Sequence, residues 1–78
     1  MSNTADKLKG IIADLMNISE DSIRDEQTFT DDLQMDSVQI TELVSQVEEE
    51  FEIEIPDDDL RNIQTVHEAI AYLENRLA

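Results

Sequence analysis

The sequence predicts an all-α fold: a small four-helix bundle with three longer helices and one short third helix. In three segments, apolar residues recur every three to four positions, so each segment presents one apolar face. The one alternating segment, residues 52–56, is too short for a convincing strand and lacks a partner. Helices of this kind bury their apolar faces against one another, and we expect residues 1–78 to form a single domain.

The first helix is predicted from Thr4 to Met16. Its apolar positions follow the spacing i, i+3, i+4, i+7 and i+8, namely Leu8, Ile11, Ile12, Leu15 and Met16. Asn17 follows directly, and asparagine tolerates the left-handed conformation that ends many helices.

A long connection, residues 18–34, precedes the second helix. Residues 19–23 can form one helical turn, with Ile18 and Ile23 as apolar anchors. Phe29 and Leu33 are expected to pin the rest of the connection to the core. Connections of this length in small domains are often functional.

The second helix is predicted to start at Asp36 and to run to Phe51. Asp36 and Gln39 fit a capping box, in which the side chain at the cap and the side chain three residues later each bind the other's backbone N–H. The apolar face of this helix comprises Ile40, Leu43, Val44, Val47 and Phe51.

The rest of the chain predicts an extended loop and two further helices. The loop at residues 52–56 is expected to turn Ile53 or Ile55 inward, because the residue before Pro56 disfavours helix. A short helix is predicted over residues 57–62. The last helix opens with a capping box of Thr65 and Glu68, and its apolar face comprises Val66, Ala69, Ile70, Leu73 and Leu77.

The charge is strongly acidic and unevenly distributed. The net charge is -15, and residues 25–60 contain 14 acids and no base. Such a field repels nucleic acid and anionic membranes and attracts basic partners, so we expect no nucleic-acid binding and no membrane insertion. The first residues lack the basic and apolar regions of a secretory signal, which favours a cytoplasmic location.

Catalytic and metal sites find little support in the sequence. His67 is the one candidate base for Ser37, and the chain has no Gly-x-Ser-x-Gly motif. Residues 57–68 are the best match to a calcium loop, but Arg61 and Asn62 stand where an oxygen ligand and glycine are required. We therefore expect no catalytic residue and no metal ligand.

The residues alone leave two interpretations of Ser37 open. Serine is common at helix starts, so Ser37 can be an ordinary residue of the first helical turn. The chain would then be an acidic helical adaptor or a nucleic-acid mimic without a prosthetic group. Alternatively, the serine hydroxyl at the start of this acidic helix carries a covalent group.

An ordered set of motifs resembles the acyl carrier proteins over nearly the whole chain. It begins with the first apolar helix and the long loop with Phe29. It continues with Asp32-Leu33, Asp36-Ser37, Glu42-Leu43-Val44, Glu48-Glu49-Glu50-Phe51, Ile55-Pro56-Asp57 and Ile63-Gln64-Thr65-Val66. The resemblance implies a monomeric carrier that is not itself an enzyme.

The resemblance also implies the prosthetic group and the enzyme that adds it. Ser37 would carry 4′-phosphopantetheine, transferred from coenzyme A by a phosphopantetheinyl transferase. Asp36 would help to dock that enzyme as well as cap the helix. The arm would supply the thiol for acyl thioesters, which suits a chain without cysteine.

Two further residue sets follow from the same resemblance. The surface for acyl-transferring and ketosynthase-type enzymes with basic docking surfaces would comprise Asp36, Val38, Glu42, Glu48, Glu49 and Asp57. The pocket for the acyl chain would comprise Phe29, Ile40, Val44, Val47, Ile55, Leu60 and Ile63.

The chain departs from the family pattern at a few positions near these sites. Family members usually have glycine at the position of Gln34, leucine at Val38 and an acid at Gln39, and many have a smaller residue at Leu60. The resemblance implies delivery of acyl groups to enzymes of fatty acid, lipid or polyketide biosynthesis. The differences suggest a specialised carrier outside the main fatty-acid cycle, serving a dedicated lipid or secondary-metabolite pathway. A D-alanyl or other aminoacyl cargo remains an alternative within the carrier class.

Overall fold

A computed structural model describes residues 4–77. Its four α-helices are α1 (Thr4–Met16), α2 (Ser37–Phe51), α3 (Asp57–Leu60) and α4 (Val66–Leu77), and a 3₁₀ turn (Glu20–Ser22) lies between α1 and α2. Within these residues, strand-like pairing is limited to an isolated antiparallel bridge between Thr28 and Thr65. The predicted all-α bundle with a short third helix is confirmed. None of the described helices is long and apolar enough to cross a membrane.

Local signals place the end of α1 and the starts of α2 and α4 where the sequence predicts them, whereas α3 ends at Leu60, two residues earlier than predicted. Asp36 is the N-cap of α2, and its capping box with Gln39 is complete. At the start of α4, the Glu68 N–H donates to Thr65 Oγ1 at 3.1 Å and the Thr65 N–H donates to Glu68 Oε1 at 3.1 Å. The N–H groups of Gln64 and Thr65 that bind the Glu68 carboxylate lower its pKa. Asn17 adopts φ 56°, the left-handed conformation predicted after α1.

Helix α1 lies at the centre of the packing. Its backbone approaches both α2 and α4, whereas no Cα atoms of α2 and α4 lie within 8 Å of each other among the described residues. The largest fully buried side chains come from α1 and α4, namely Leu8, Ile12, Leu73 and Val66. Burying each of these contributes about 1.5–3 kcal/mol. The separation of α2 from α4 leaves an apolar gap between them.

The connection from α1 to α2 is fixed by four buried side chains: Ile23, Phe29, Leu33 and Met35. The prediction that Ile23, Phe29 and Leu33 anchor it is confirmed. The prediction for Ile18 is wrong, since this side chain is 40% exposed. Ile18 follows the left-handed residue Asn17, which lies after the end of α1, so Ile18 does not continue the helical register of the apolar face. Met35 was not expected in the core.

The same connection also caps α4. The Val66 N–H donates to the Gln27 carbonyl at 3.0 Å, and the His67 N–H donates to the Asp25 carbonyl at 2.8 Å. The first N–H groups of a helix have no partner within it, so these loop carbonyls satisfy donors that would otherwise be unpaired. The connection and α4 therefore hold each other in place.

Candidate functional site

Ser37 is the first residue of α2, and its side chain is exposed. Within the part of the chain that the structure describes, its hydroxyl makes no hydrogen bond to another protein group. A hydroxyl in this position is accessible from solvent and is not engaged in capping, because Asp36 performs that role. Ser37 is therefore a residue of the first helical turn that does not serve as the cap of α2.

The N-terminus of α2 offers donors for an anion beside Ser37. The Gln39 N–H donates to Asp36 Oδ1 at 2.9 Å, and the Asp36 N–H donates to Gln39 Oε1 at 3.0 Å. The N–H groups of Ser37 and Val38, which lie between these two, have no helical acceptor because they are in the first turn. A phosphodiester on the serine would also meet the positive end of the helix dipole. The residues therefore fit a phosphate-linked group.

The loop before Ser37 is held by its own hydrogen bonds. The Thr28 N–H donates to Asp32 Oδ2 at 2.9 Å, and the Asp32 N–H donates back to Thr28 Oγ1 at 3.0 Å. The Met35 N–H donates to the Phe29 carbonyl at 2.9 Å. These bonds fix the path of the chain into α2 and so fix where Ser37 is presented.

Gln34 occupies a left-handed backbone position in this loop, with φ 57°. Glycine adopts this conformation without steric cost, whereas other L-residues do not. The loop thus has at Gln34 the backbone conformation that a glycine would favour, but with a side chain that opposes it.

Replacing Gln34 with glycine should stabilise the protein by about 0.5–1 kcal/mol. The gain is the relief of left-handed strain, reduced by the greater chain entropy of glycine when unfolded. Chemical denaturation measures this gain in the free energy of unfolding. Glu52→Gly, at φ 56° after α2, should behave alike, while Gln46→Gly inside α2 should destabilise. A destabilised Gln34→Gly variant would show that the side chain itself holds the loop.

An apolar cavity of about 310 Å³ lies between α2 and α4. Every residue that the resemblance assigned to an acyl pocket lines it: Phe29, Ile40, Val44, Val47, Ile55, Leu60 and Ile63. Its walls also include Leu8 of α1 and Tyr72 and Leu73 of α4, which the sequence analysis did not assign to it. Ile40 lies one helical turn after Ser37, so the wall of the cavity begins near the serine.

The predicted docking residues lie mostly on the surface. Asp36, Glu42, Glu49 and Asp57 are exposed, and Val38 is the most exposed of the large apolar side chains among the described residues, at 66%. Glu48 differs, because it is only half-exposed and its Oε2 accepts a hydrogen bond from the Ile55 N–H at 2.7 Å. Glu48 therefore also fixes the loop after α2.

Val38, Glu42 and Glu49 are spaced i, i+4 and i+11, which places them along one face of α2. The surface thus combines one exposed apolar side chain with a row of carboxylates.

His67, the one histidine, is exposed in the first turn of α4. Among residues 4–77, no group of three His, Cys, Asp or Glu side chains is arranged to hold a metal ion.

Comparison with known proteins identifies the family. Residues 6–73 match the family model described as the phosphopantetheine attachment site. The chain is 50% identical over 68 residues to an acyl carrier protein of Clostridium perfringens, an alignment that covers 87% of this chain and 90% of the relative. Members of this family carry 4′-phosphopantetheine as a covalent prosthetic group.

Solved structures agree with this assignment. The fold matches an acyl carrier protein of Enterococcus faecalis with a TM-score of 0.79 and 34% identity, covering 94% of this chain and 92% of the other. It also matches a Mycobacterium tuberculosis structure with a provisional acyl-carrier name, with a TM-score of 0.85 and 26% identity over 94% and 97% of the two chains. The chain therefore belongs to the acyl carrier proteins of the phosphopantetheine-attachment family.

Proposed function

We propose that Ser37 is the residue to which the 4′-phosphopantetheine arm is attached, and that the chain is a carrier without catalytic activity of its own. The observation that carries this proposal is the exposed Ser37 hydroxyl, free of hydrogen bonds to described protein groups, at the N-terminus of α2. Because no described base binds this hydroxyl, it is activated only inside the modifying enzyme.

The attachment is a phosphoryl transfer. A bond forms between Ser37 Oγ and the phosphorus that bears the pantetheine, and the hydroxyl proton passes to a base of the modifying enzyme. The pyrophosphate P–O bond of coenzyme A breaks, and adenosine 3′,5′-bisphosphate leaves. When bound, the arm supplies a thiol that holds acyl groups as thioesters. The chain provides the first-turn N–H groups of Ser37 and Val38 and the α2 dipole, which favour the phosphodiester charge at this end of the helix.

The cargo is proposed to be an apolar acyl chain held in the cavity between α2 and α4. The volume of about 310 Å³ lies at the lower end of ligand-sized pockets, which begin at about 300 Å³. Aliphatic side chains form most of its wall, including Ile40, Val44 and Val47. An apolar wall favours a fatty acyl group over a charged aminoacyl group, because burying an unpaired ammonium is costly.

The test of the attachment uses the whole wild-type protein. It is incubated with coenzyme A and a broad-specificity phosphopantetheinyl transferase, and its intact mass is then measured. We expect addition of a single phosphopantetheine group. If no addition occurs under conditions that modify a control carrier completely, the chain is not a substrate and the proposal fails.

We also propose that the exposed acids of α2 and α3 dock the partner enzymes, including the transferase and enzymes of the acyl-transfer and ketosynthase types. The acids are Asp36, Glu42, Glu48, Glu49 and Asp57, and Val38 is the apolar contact among them. Their carboxylates suit basic partner surfaces, and the chain would serve them as a single-domain monomer in the cytoplasm. A specialised pathway is the proposed setting, and elongation by housekeeping fatty-acid synthase enzymes at ordinary rates would refute it.

Reversing one of these charges should slow partner association. For Glu42→Lys or Glu49→Lys we expect kcat/KM with the transferase to fall about tenfold at low ionic strength, because the basic partner is steered less effectively. The loss should shrink as salt rises, since the screening length falls to about 10 Å at 0.1 M. Initial rates of phosphopantetheine addition by the transferase, taken across a salt series, measure this loss and its dependence on salt.

Glu74→Lys is the matched control, because it makes the same charge change at an exposed acid of α4. It should reduce kcat/KM much less than either α2 variant. Equal losses at all three positions would mean that total charge matters and that α2 is not a specific docking surface.

A further inference from the structure

Helix α3 forms a wall of the cavity but has few attachments of its own. Leu60 in α3 and Ile63 just after it line the cavity. The helix has four residues, none of them buried, and its N-cap Pro56 makes no side-chain capping hydrogen bond. Among the described residues, no Cα of α3 lies within 8 Å of a Cα of α1, α2 or α4. Side chains must therefore hold this wall in place.

A chain of hydrogen bonds connects α3 to α4. The Tyr72 hydroxyl donates to Asp59 Oδ2 at 2.6 Å, and Arg76 Nη1 donates to the Tyr72 oxygen at 2.6 Å. A tyrosine hydroxyl has a single proton, so the donation from arginine leaves that proton directed at the carboxylate. Among the described side chains, Tyr72 to Asp59 is the hydrogen bond that joins α3 to a longer helix.

The surroundings of Tyr72 favour this arrangement. Both Tyr72 and Asp59 are half-buried, and the Arg76 guanidinium carbon lies 5.6 Å from the centre of the tyrosine ring. Burial raises the pKa of the Tyr72 hydroxyl, and its hydrogen bond to Asp59 raises it further. The hydroxyl therefore remains a donor at neutral pH. Its ring also lines the cavity, so one side chain both forms a wall and positions another.

We propose that the hydrogen bonds from Arg76 through Tyr72 to Asp59 form a latch that holds α3 over the cavity and controls how an acyl chain enters and leaves it. Asp59 is next to Leu60, so holding the aspartate holds the cavity wall. Tyr72 is a positioning residue in this proposal and takes no part in attaching the arm. The role in holding cargo rests on the proposed function, whereas the effect on α3 does not.

Tyr72→Phe tests the latch in the protein without its arm, because it removes the hydroxyl and keeps the ring in the cavity wall. Solvent exchange of backbone amides is measured by NMR at Leu60, Arg61 and Ile63, which donate to Pro56, Asp57 and Leu60. We expect exchange to rise about tenfold there, as for the loss of one hydrogen bond to a charged group. Amides of α1 should be unchanged, which verifies the fold.

Asp59→Asn and Asp58→Asn form a matched pair on the same short helix. Asp59→Asn weakens the latch by removing its charge. Asp58→Asn removes an equal charge from a residue whose partner Arg61 lies at 3.4 Å, with both side chains largely exposed. Exchange at Leu60 should rise for Asp59→Asn and stay near wild type for Asp58→Asn. Unchanged exchange in Tyr72→Phe, or equal effects of the two aspartate variants, would overturn the latch.

A second measurement tests the effect on cargo. Wild type and Tyr72→Phe are loaded with an octanoyl or an acetyl thioester, and cleavage by hydroxylamine is followed. We expect octanoyl cleavage to rise about tenfold in the variant, matching the shift in the opening of α3, with acetyl cleavage unchanged. Equal rates for wild type and variant would overturn control of the cargo. Failure to load either protein would overturn the proposed function, and the exchange result would still decide the latch.

Discussion

Replacing Ser37 with alanine should abolish the addition of 4′-phosphopantetheine and leave the helical bundle folded. The change removes the oxygen that forms the phosphodiester, so no residual modification is expected at this position. The side chain is exposed and its hydroxyl has no hydrogen-bond partner among the described residues. The capping box depends on Asp36 and Gln39, which remain. The free energy of unfolding should therefore change by less than about 0.5 kcal/mol.

Ser45→Ala provides the control on the same helix. Ser45 is also exposed on α2, but it lies two turns beyond the N-terminus and its first-turn N–H groups. Intact mass after reaction with coenzyme A and the transferase should show complete modification of Ser45→Ala and none of Ser37→Ala. Thermal melting confirms that both variants are folded. Modification of Ser37→Ala at the wild-type level would place the arm on a different hydroxyl.

The helices could be predicted because their signals are local. The apolar spacing of α1 predicted its bounds, and the observed helix has the same bounds. Two reciprocal caps, Asp36 with Gln39 and Thr65 with Glu68, predicted the starts of α2 and α4. Each cap depends on residues three positions apart, so the sequence contains all the information that specifies it. The short helix was predicted two residues too long, which is ordinary for helix ends.

The connection between α1 and α2 could not be predicted in the same way. Gln27 and Asp25 cap α4 through their carbonyl oxygens, about 40 residues away in the chain. Any residue type offers a carbonyl, so the sequence contains no signal for this contact. The burial of Met35 and the exposure of Ile18 follow from the same path of the connection. Tertiary contacts decide both, and the apolar character of the side chains does not.

The candidate site could be predicted from the sequence only in part. The spacing of Asp36 and Gln39 placed Ser37 in the first turn of α2, but assigning a prosthetic group to it required the resemblance to a family. Apolar periodicity indicates which residues are buried and which are exposed. It does not indicate which buried residues fill the core and which line a cavity. Leu8 and Leu73 are nearly fully buried and still line the cavity, because it lies between α2 and α4. The relative placement of helices is therefore the missing information.

The composition of the chain makes its stability depend mainly on apolar packing in the core. A domain of 78 residues has a free energy of unfolding of about 4–12 kcal/mol by size alone. A net charge of -15 opposes the compact state by self-repulsion. The three ion pairs between described side chains join partly or largely exposed groups, Lys7–Glu50, Lys9–Asp25 and Arg61–Asp58. Pairs of this kind contribute little, so apolar packing supplies most of the stability.

Ile12→Ala should therefore remove about 2–5 kcal/mol of the free energy of unfolding, the range for truncating a large aliphatic side chain to alanine in a core. Ile12 has 0% exposure and does not line the cavity, so the loss reflects the helix packing alone. At low ionic strength this loss is comparable with the total stability, and a substantial unfolded population is expected by circular dichroism. Urea denaturation of both proteins measures the difference.

Ile11→Ala is the control, because it removes the same atoms from the adjacent, half-buried position of α1. Its loss of unfolding free energy should be well below that of Ile12→Ala, and equal losses would contradict the central position of Ile12.

Salt or millimolar magnesium should raise the melting temperature of the wild type and both variants by screening the acids. Because the repulsion is spread over the surface and the Ile12 contact is apolar, the difference between wild type and Ile12→Ala should persist at every salt concentration.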